Sequence, residues 1–195
     1  MQAKFIISTL FLAGTVLILS LAACAPKCII NGRVVDAETE HPIKGAAVAI
    51  RWVEDQPEAN SATSQTFDSA QEFSDKDGYF NIPDHSDKNF VMGVYKEGYI
   101  CWSNRSSFTS GKKEATIARQ NIRLADGMQV RLEPLKADDS RDQHASFTVL
   151  VAEEVTESKQ SPFYNAIKPL FKRWRDNLRQ QFKKTFGQHK SPEPK

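Results

Sequence analysis

Ser74-Asp75-Lys76-Asp77-Gly78-Tyr79-Phe80-Asn81-Ile82-Pro83 is the stretch whose reading decides the fold. Asp75 to Gly78 carries a tight-turn signature, because Asp-Gly suits the positive φ of a hairpin. Tyr79, Phe80 and Ile82 then continue as a strand that stops at Pro83. Working outward, the same period of two recurs. Ile30, Gly32 and Val34 fall on one face with Asn31 and Arg33 on the other. Ala46, Val48, Ile50 and Trp52 alternate with Ala47, Ala49 and Arg51. Ser64 to Phe73 reads as a polar strand, and Phe90, Met92 and Val94 alternate again. Ile100 and Trp102 open a further strand, and Ala118 to Leu124 and Met128 to Leu135 are two more, joined at Asp126-Gly127. Short alternating runs separated by turn residues predict an antiparallel sandwich or barrel.

Four of these runs, in order, carry a family likeness. Ile30-x-Gly32-x-Val34-x-Asp36, Pro42-Ile43-x-Gly45-Ala46-x-Val48, Ser74-Asp75-x-Asp77-Gly78-x-Phe80-x-Ile82 and Val94-x3-Gly98-Tyr99 together resemble the carboxypeptidase regulatory-like domain. The resemblance implies a mainly β fold, a prealbumin/Ig-like antiparallel β-sandwich over 24–135. Its motif residues shape turns and corners: Tyr99, after Gly98, is placed for its ring to cover the core edge while its hydroxyl finds a partner. None of them is a catalytic residue.

The amino-terminal end has a different character. Lys4 supplies a positive start, Phe5 to Leu21 is uncharged and largely apolar, and Ala22 and Ala23 are small. This is the layout of a secretory signal peptide over 1–23. Leu21-Ala22-Ala23-Cys24 resembles the lipobox of bacterial lipoproteins. That resemblance implies cleavage before Cys24, acylation of its thiol by a chain such as palmitate, and a membrane-lipid anchor. An Asp after the cysteine resembles an inner-membrane retention signal, and Ala25 stands there instead. The expected place is therefore the outer membrane, facing the periplasm.

Cys28 and Cys101 remain as an even pair in an oxidising compartment, either bridged or two buried thiols. The chain is nearly balanced in charge overall. Its halves differ: Ser161 to Lys195 holds 9 Lys and Arg against 2 Asp and Glu. Such an asymmetry marks a basic tail on an acidic body.

Residues 136–160 read as a linker with an extra strand, since Phe147, Val149 and Val151 alternate with Thr148 and Leu150. Ser161-Pro162 is a helix start, with Ser at the cap and Pro at the first helical position. Over 161–188 apolar residues follow at three- and four-residue steps, a basic amphipathic helix that Pro169 should kink or restart. Phe171, Trp174, Leu178 and Phe182 are its candidate contacts with a membrane, an envelope protein or a polyanion, against the plain alternative of a packed helix. Residues 189–195, with Pro192 and Pro194, read as a disordered tail.

Chemistry is sparse. The histidines, at 41, 85, 144 and 189, have no metal-ligand spacing. Asp75-x-Asp77-Gly78 opens like a calcium loop but lacks the later ligands. No nucleophile elbow, P-loop or dinucleotide fingerprint is present. The expectation is a non-catalytic binding or scaffolding module without metal or cofactor. Its expected partner is an envelope protein or polysaccharide, with nucleic acid excluded by export. The alternative is a carbohydrate-binding module using Trp52, Tyr95 and Trp102 as an exposed aromatic platform.

Overall fold

The structure, a computed structural model, describes residues 29–55, 64–108 and 123–186. Among the described residues the strands are β1 (Ile29–Asp36), β2 (Ala47–Asp55), β3 (Ser64–Phe73), β4 (Tyr79–Pro83), β5 (Asn89–Tyr95), β6 (Trp102–Ser103) and β7 (Met128–Leu132). The helices are α1 (Arg141–Val155) and α2 (Pro162–Phe186). The strands form two sheets, ordered β4-β1-β7 and β3-β2-β5-β6. They face each other as a β-sandwich, and both helices lie on the outer face of the four-stranded sheet. The strand expected to begin at Ala118 lies almost wholly outside the described residues, as do the signal peptide, Cys24, Cys28 and the tail from 189.

The alternation in β2 explains the layering. Val48, Ile50 and Trp52 point into the sandwich core with Val34, Phe80, Ile82, Met92 and Leu132. Ala47 and Ala49 point the other way, into a second core with Val91, Tyr95, Val151, Val155, Phe163 and Ile167. Both faces of the strand are buried, one by large side chains and one by small ones. The small face is what lets helices approach.

The chain passes between the sheets at two stitched points. Ser74 follows β3: its hydroxyl donates to the Ile43 carbonyl at 2.6 Å and accepts from the Ala46 N–H at 2.8 Å. Within the turn, Asp75 Oδ1 accepts from the N–H groups of Asp77 and Tyr79, so the stretch is a tight turn as expected, but not a hairpin, because β3 and β4 on either side of it belong to different sheets. Gly78 has φ +81°, and a Cβ there would stand 2.5 Å from the Val34 carbonyl oxygen, so only glycine fits. At the second point the Tyr99 hydroxyl donates to Asp36 Oδ2 at 3.0 Å, while Asp36 Oδ1 accepts from Glu38 and Thr39. Those bonds, that from the Thr39 N–H foremost, hold the Asp36 carboxyl below the usual carboxylate range.

Three expectations need correction or refinement. Residues 136–160 are not a linker with a strand: helix α1 occupies Arg141–Val155. Ser140 caps it, accepting from the Gln143 N–H, and the buried positions His144, Ala145, Thr148, Val151, Ala152 and Val155 follow helical spacing. Leu150, part of the supposed alternation, is 60% exposed. Ile100 does not extend β6; its N–H donates to the Glu133 carbonyl, joining the two sheets. Finally, β7 lies parallel to β1, with Gly32 opposite Met128. Parallel pairing needs a crossover connection between the two strands, and here the chain from β2 to β6 runs between β1 and β7.

Helix α2 begins as its sequence indicates. Ser161 Oγ accepts from the Tyr164 N–H at 3.1 Å, and the Phe163 N–H donates to Gln71 Oε1 at 3.0 Å. The helix runs without a break through Pro169, which sits on its exposed face.

Gly32 gives a direct test of the core. It lies opposite Phe80 across β1 and β4, and an added Cβ would fall 2.1 Å from the tip of that ring. Gly32→Ala is expected to push the ring out of place and to cost about 1–3 kcal/mol, read as a lowered urea midpoint with an unchanged slope.

Candidate functional site

Sheet and helix together place the amphipathic segment. Gly93 in β5 has Val151, Val155 and Phe163 packed over it; a Cβ would come within 2.7 Å of Val151 Cγ1. This close approach seats the first part of α2, where Phe163 and Ile167 are fully buried. The helix then runs toward the end of the sandwich where β5 stops, and Arg173 meets Glu97 at 2.7 Å, just beyond that strand. After Ile167 no described side chain of α2 is buried. Of the four candidate contact residues, Phe171, Trp174 and Leu178 are half-buried and Phe182 is 67% exposed. The Phe171 and Trp174 rings touch at 5.5 Å, and the Arg175 guanidinium lies 5.7 Å from the Phe171 ring. No helix among the described residues is long and apolar enough to cross a membrane. The distal part of α2 is thus an overhang with an apolar stripe and a basic back.

The aromatic platform expected for sugar binding is absent. Trp52 is fully buried, Tyr95 is 4% exposed and Trp102 8% exposed. Trp52 and Trp102 fill the sandwich core, and Tyr95 lies under the helices. What covers the end of Trp52 is His85, whose ring stands edge-on to it at 4.8 Å and to Phe67 at 5.1 Å. His85 Nε2 is 2.9 Å from Asp68 Oδ2, and Lys88 lies over Phe67 at 4.8 Å. This cluster caps the end of the sandwich where β1 begins, since Ile29 pairs with Pro83. On the outer face of the three-stranded sheet, Asn31, Arg33, Tyr79, Asp126 and Gln129 line a shallow cleft of about 380 Å³. Asp126 is engaged there by the backbone and side-chain N–H groups of Asn31, so its carboxylate holds a loop rather than a ligand.

Cys101 is a free thiol, 2% exposed, and its expected partner Cys28 lies outside the described residues. Burial pushes its pKa up to about 12, which keeps it protonated and unreactive. Its backbone N–H donates to His144 Nε2 at 2.9 Å. An accepting Nε2 leaves the proton on Nδ1, and that atom is buried without a partner. Phe108 packs edge-on against the imidazole at 5.4 Å. His144 is therefore a polar link between α1 and the sandwich, beside the apolar packing of Val151 and Val155, a role that its lone place in the sequence did not reveal. Among the described residues no three His, Cys, Asp or Glu side chains are grouped to hold a metal.

No protein-family model and no curated protein matches this chain. Among solved structures it is similar to a streptococcal ancillary pilin, at 17% identity over 55% of this chain and 29% of that one, with a TM-score of 0.28. The C-terminal domain of the shaft pilin SpaA from Lactobacillus rhamnosus GG is similar at 13% identity, over 55% of this chain and 97% of that one, with a TM-score of 0.32. Catechol 1,2-dioxygenase from Acinetobacter radioresistens is similar at 15% identity, over 57% of this chain and 53% of that one, with a TM-score of 0.33. Likenesses this distant concern shape alone and say nothing of activity or partner.

The buried imidazole makes stability depend on pH. Burial, the main cause, lowers the His144 pKa from 6.5 to about 4. Between those values the unfolded chain binds a proton that the folded chain refuses. The stabilisation is complete above pH 6.5 and is lost as pH falls toward 4, on the order of 3 kcal/mol in all. Urea unfolding at pH 7 and pH 4.5 is expected to show this loss. His144→Gln is expected to lower stability at pH 7 and to shrink the difference between the two pH values.

Proposed function

We propose that this chain is a non-catalytic binding or scaffolding module of the bacterial envelope, held on a membrane by an acylated Cys24. The observation that carries this reading is the overhang of α2, whose apolar stripe continues past the sandwich instead of ending on it. A helix that only covered a core would stop where the core stops. Its remaining 13 residues from Trp174 to Phe186 extend for about 20 Å at 1.5 Å per residue.

The tether and the overhang belong to opposite ends of the sandwich. Ile29, five positions after Cys24, opens β1 beside Pro83 and the His85 cluster. A chain of that length reaches at most about 18 Å, so an anchor there keeps the His85 end near the bilayer. α2 departs at the other end, beside Glu97 and near the Tyr99–Asp36 bond. In this arrangement the stripe is held away from the anchoring membrane and toward an envelope partner. The outer membrane, facing the periplasm, is the place this reading assigns. A sugar-binding role has no support from buried Trp52, Tyr95 and Trp102.

The anchor is tested by metabolic labelling with a clickable fatty acid. The intact chain is expected to take up label and to fractionate with membranes, and Cys24→Ser is expected to lose both. An unlabelled intact chain would remove the anchor and the proposed location together.

A further inference from the structure

Helix α1 is hinged at both ends and lightly seated. The chain leaves the sandwich after Leu135, whose N–H donates to the Gly98 carbonyl. A largely exposed turn follows, in which the Lys136 N–H donates to Asp139 Oδ2 at 2.8 Å. A second exposed turn, from Thr156 to Gln160, separates α1 from α2. Between the two turns the buried face of α1 is His144, Ala145, Thr148, Val151, Ala152 and Val155. Apolar burial stabilises in proportion to area, and this face offers little beyond two valines. None of these residues belongs to the core between the sheets, which strands and loops complete without the helix.

His144 is a buried polar tie across that seat. Its Nε2 accepts from the Cys101 N–H, while Nδ1 carries the ring's own proton and has no partner. A second proton can enter only at Nε2, where it would set two N–H groups against each other. Thr148 Oγ1 is 3.4 Å from Nε2, too long for a strong bond, and already donates to the His144 carbonyl. The charges that act on the ring are Asp139, which favours the cation, and Arg141, which opposes it. From the sandwich it meets Cys101, protonated up to about pH 12, and the Phe108 ring. β5 and α2 bring Tyr95 and Tyr164 to the core beneath α1. Two half-buried charges of the layer lie elsewhere. Arg51 stands opposite Val91, and Glu154 is ten residues along α1, about 15 Å away. The sandwich has the opposite sensitivity. Its carboxylate ties, Asp36 to Tyr99 and Asp126 to Asn31, are held below the usual range by the N–H groups they accept from, so they stay ionised where an imidazole takes a proton. His85 faces Asp68, a pairing that protonation strengthens.

We propose that α1 is an acid-released lid: protonation of His144 at Nε2 lifts the helix from the four-stranded sheet and leaves the sandwich folded beneath it. The lifted helix uncovers Gly93 and the Cys101 thiol, which it otherwise covers with Val151, Val155 and His144. The device does not depend on a lipid at Cys24. Once released, the imidazole regains its ordinary affinity for protons. The docked state therefore has its full advantage above pH 6.5, and that advantage falls about 20-fold from pH 7 to pH 5.

The test compares amide hydrogen exchange of the full chain at pH 7 and pH 5, corrected for the intrinsic exchange rate. Amides of α1 are expected to lose protection about 20-fold and to exchange while those of β1 and β2 are still protected. A second readout uses dithiodipyridine, which attacks thiols in acid, on the chain with Cys24→Ser and Cys28→Ser. Cys101 is expected to react about 20-fold faster at pH 5 than at pH 7, relative to a free thiol. His144→Gln keeps an acceptor for the Cys101 N–H and cannot take a charge, so it is expected to remove most of both pH effects. His41→Gln, on the surface, is expected to leave them unchanged. Helix and strand amides that exchange together at pH 5 would overturn the proposal, as would α1 protection that is equal at the two pH values. Both outcomes are read on the unaltered chain and need no variant to fold. A pH effect undiminished in His144→Gln would overturn it as well.

Discussion

The helical layer depends on one steric constraint, the absence of side-chain bulk at Ala47, Ala49 and Gly93. These residues form the outer face of neighbouring strands β2 and β5, where Ala49 pairs with Gly93 and Ala47 with Tyr95. Val151 and Phe163 press onto that face closely enough that a single methyl at Gly93 would collide. Close packing has little slack, so one added carbon is felt. The flat patch sets where α1 and α2 sit, and the seat of α2 sets the line along which it leaves the sandwich. The overhang is thus a consequence of small residues on strands far from it in sequence.

The opposite face of the same strands works by the reverse rule. Val48, Ile50, Trp52, Met92 and Val94 meet the three-stranded sheet with large side chains, and Gly32 makes room for the Phe80 ring. Around this core the polar groups that cannot reach water are paired across sheets, as at Ser74 and at Asp36 with Tyr99. Buried polar groups are stabilising only when satisfied; Trp52 Nε1 and Arg51 Nε are exceptions, and His144 is the instructive one. One ring nitrogen accepts from Cys101 while the other has no partner. That half-satisfied group couples α1 to the sandwich and sensitises the junction to protons.

Much of the sandwich was legible in the chain. The period of two in β1, β2, β4 and β5, the Asp-x-Asp-Gly turn and the Ser-Pro start of α2 are local signals, and each formed where it stood. Helix α1 was not legible, because its buried face is built from Ala, Thr and His, with only two valines. A hydrophobicity pattern is blind to such a face, while the accidental alternation of Phe147, Val149 and Val151 looks like a strand. The fate of the aromatic residues was hidden for a related reason. Whether Trp52 is a platform or a core residue depends on His85 and Phe67, which the turn after β4 and the strand β3 bring to it. For α2, the stripe was visible in sequence, but the point at which the sheet ends beneath it was not.

The parallel pairing of β1 with β7 has a consequence for how the protein comes to be made. One edge of the first strand is completed by residues 128–132, about a hundred positions later. Contacts so distant in sequence form late, because a long loop must close before they are rewarded. Until β7 arrives, β1 offers an unpaired backbone edge of the kind that invites wrong partners. A nascent chain would carry that open seam through most of its synthesis, a vulnerability best met by folding only after the whole polypeptide has emerged.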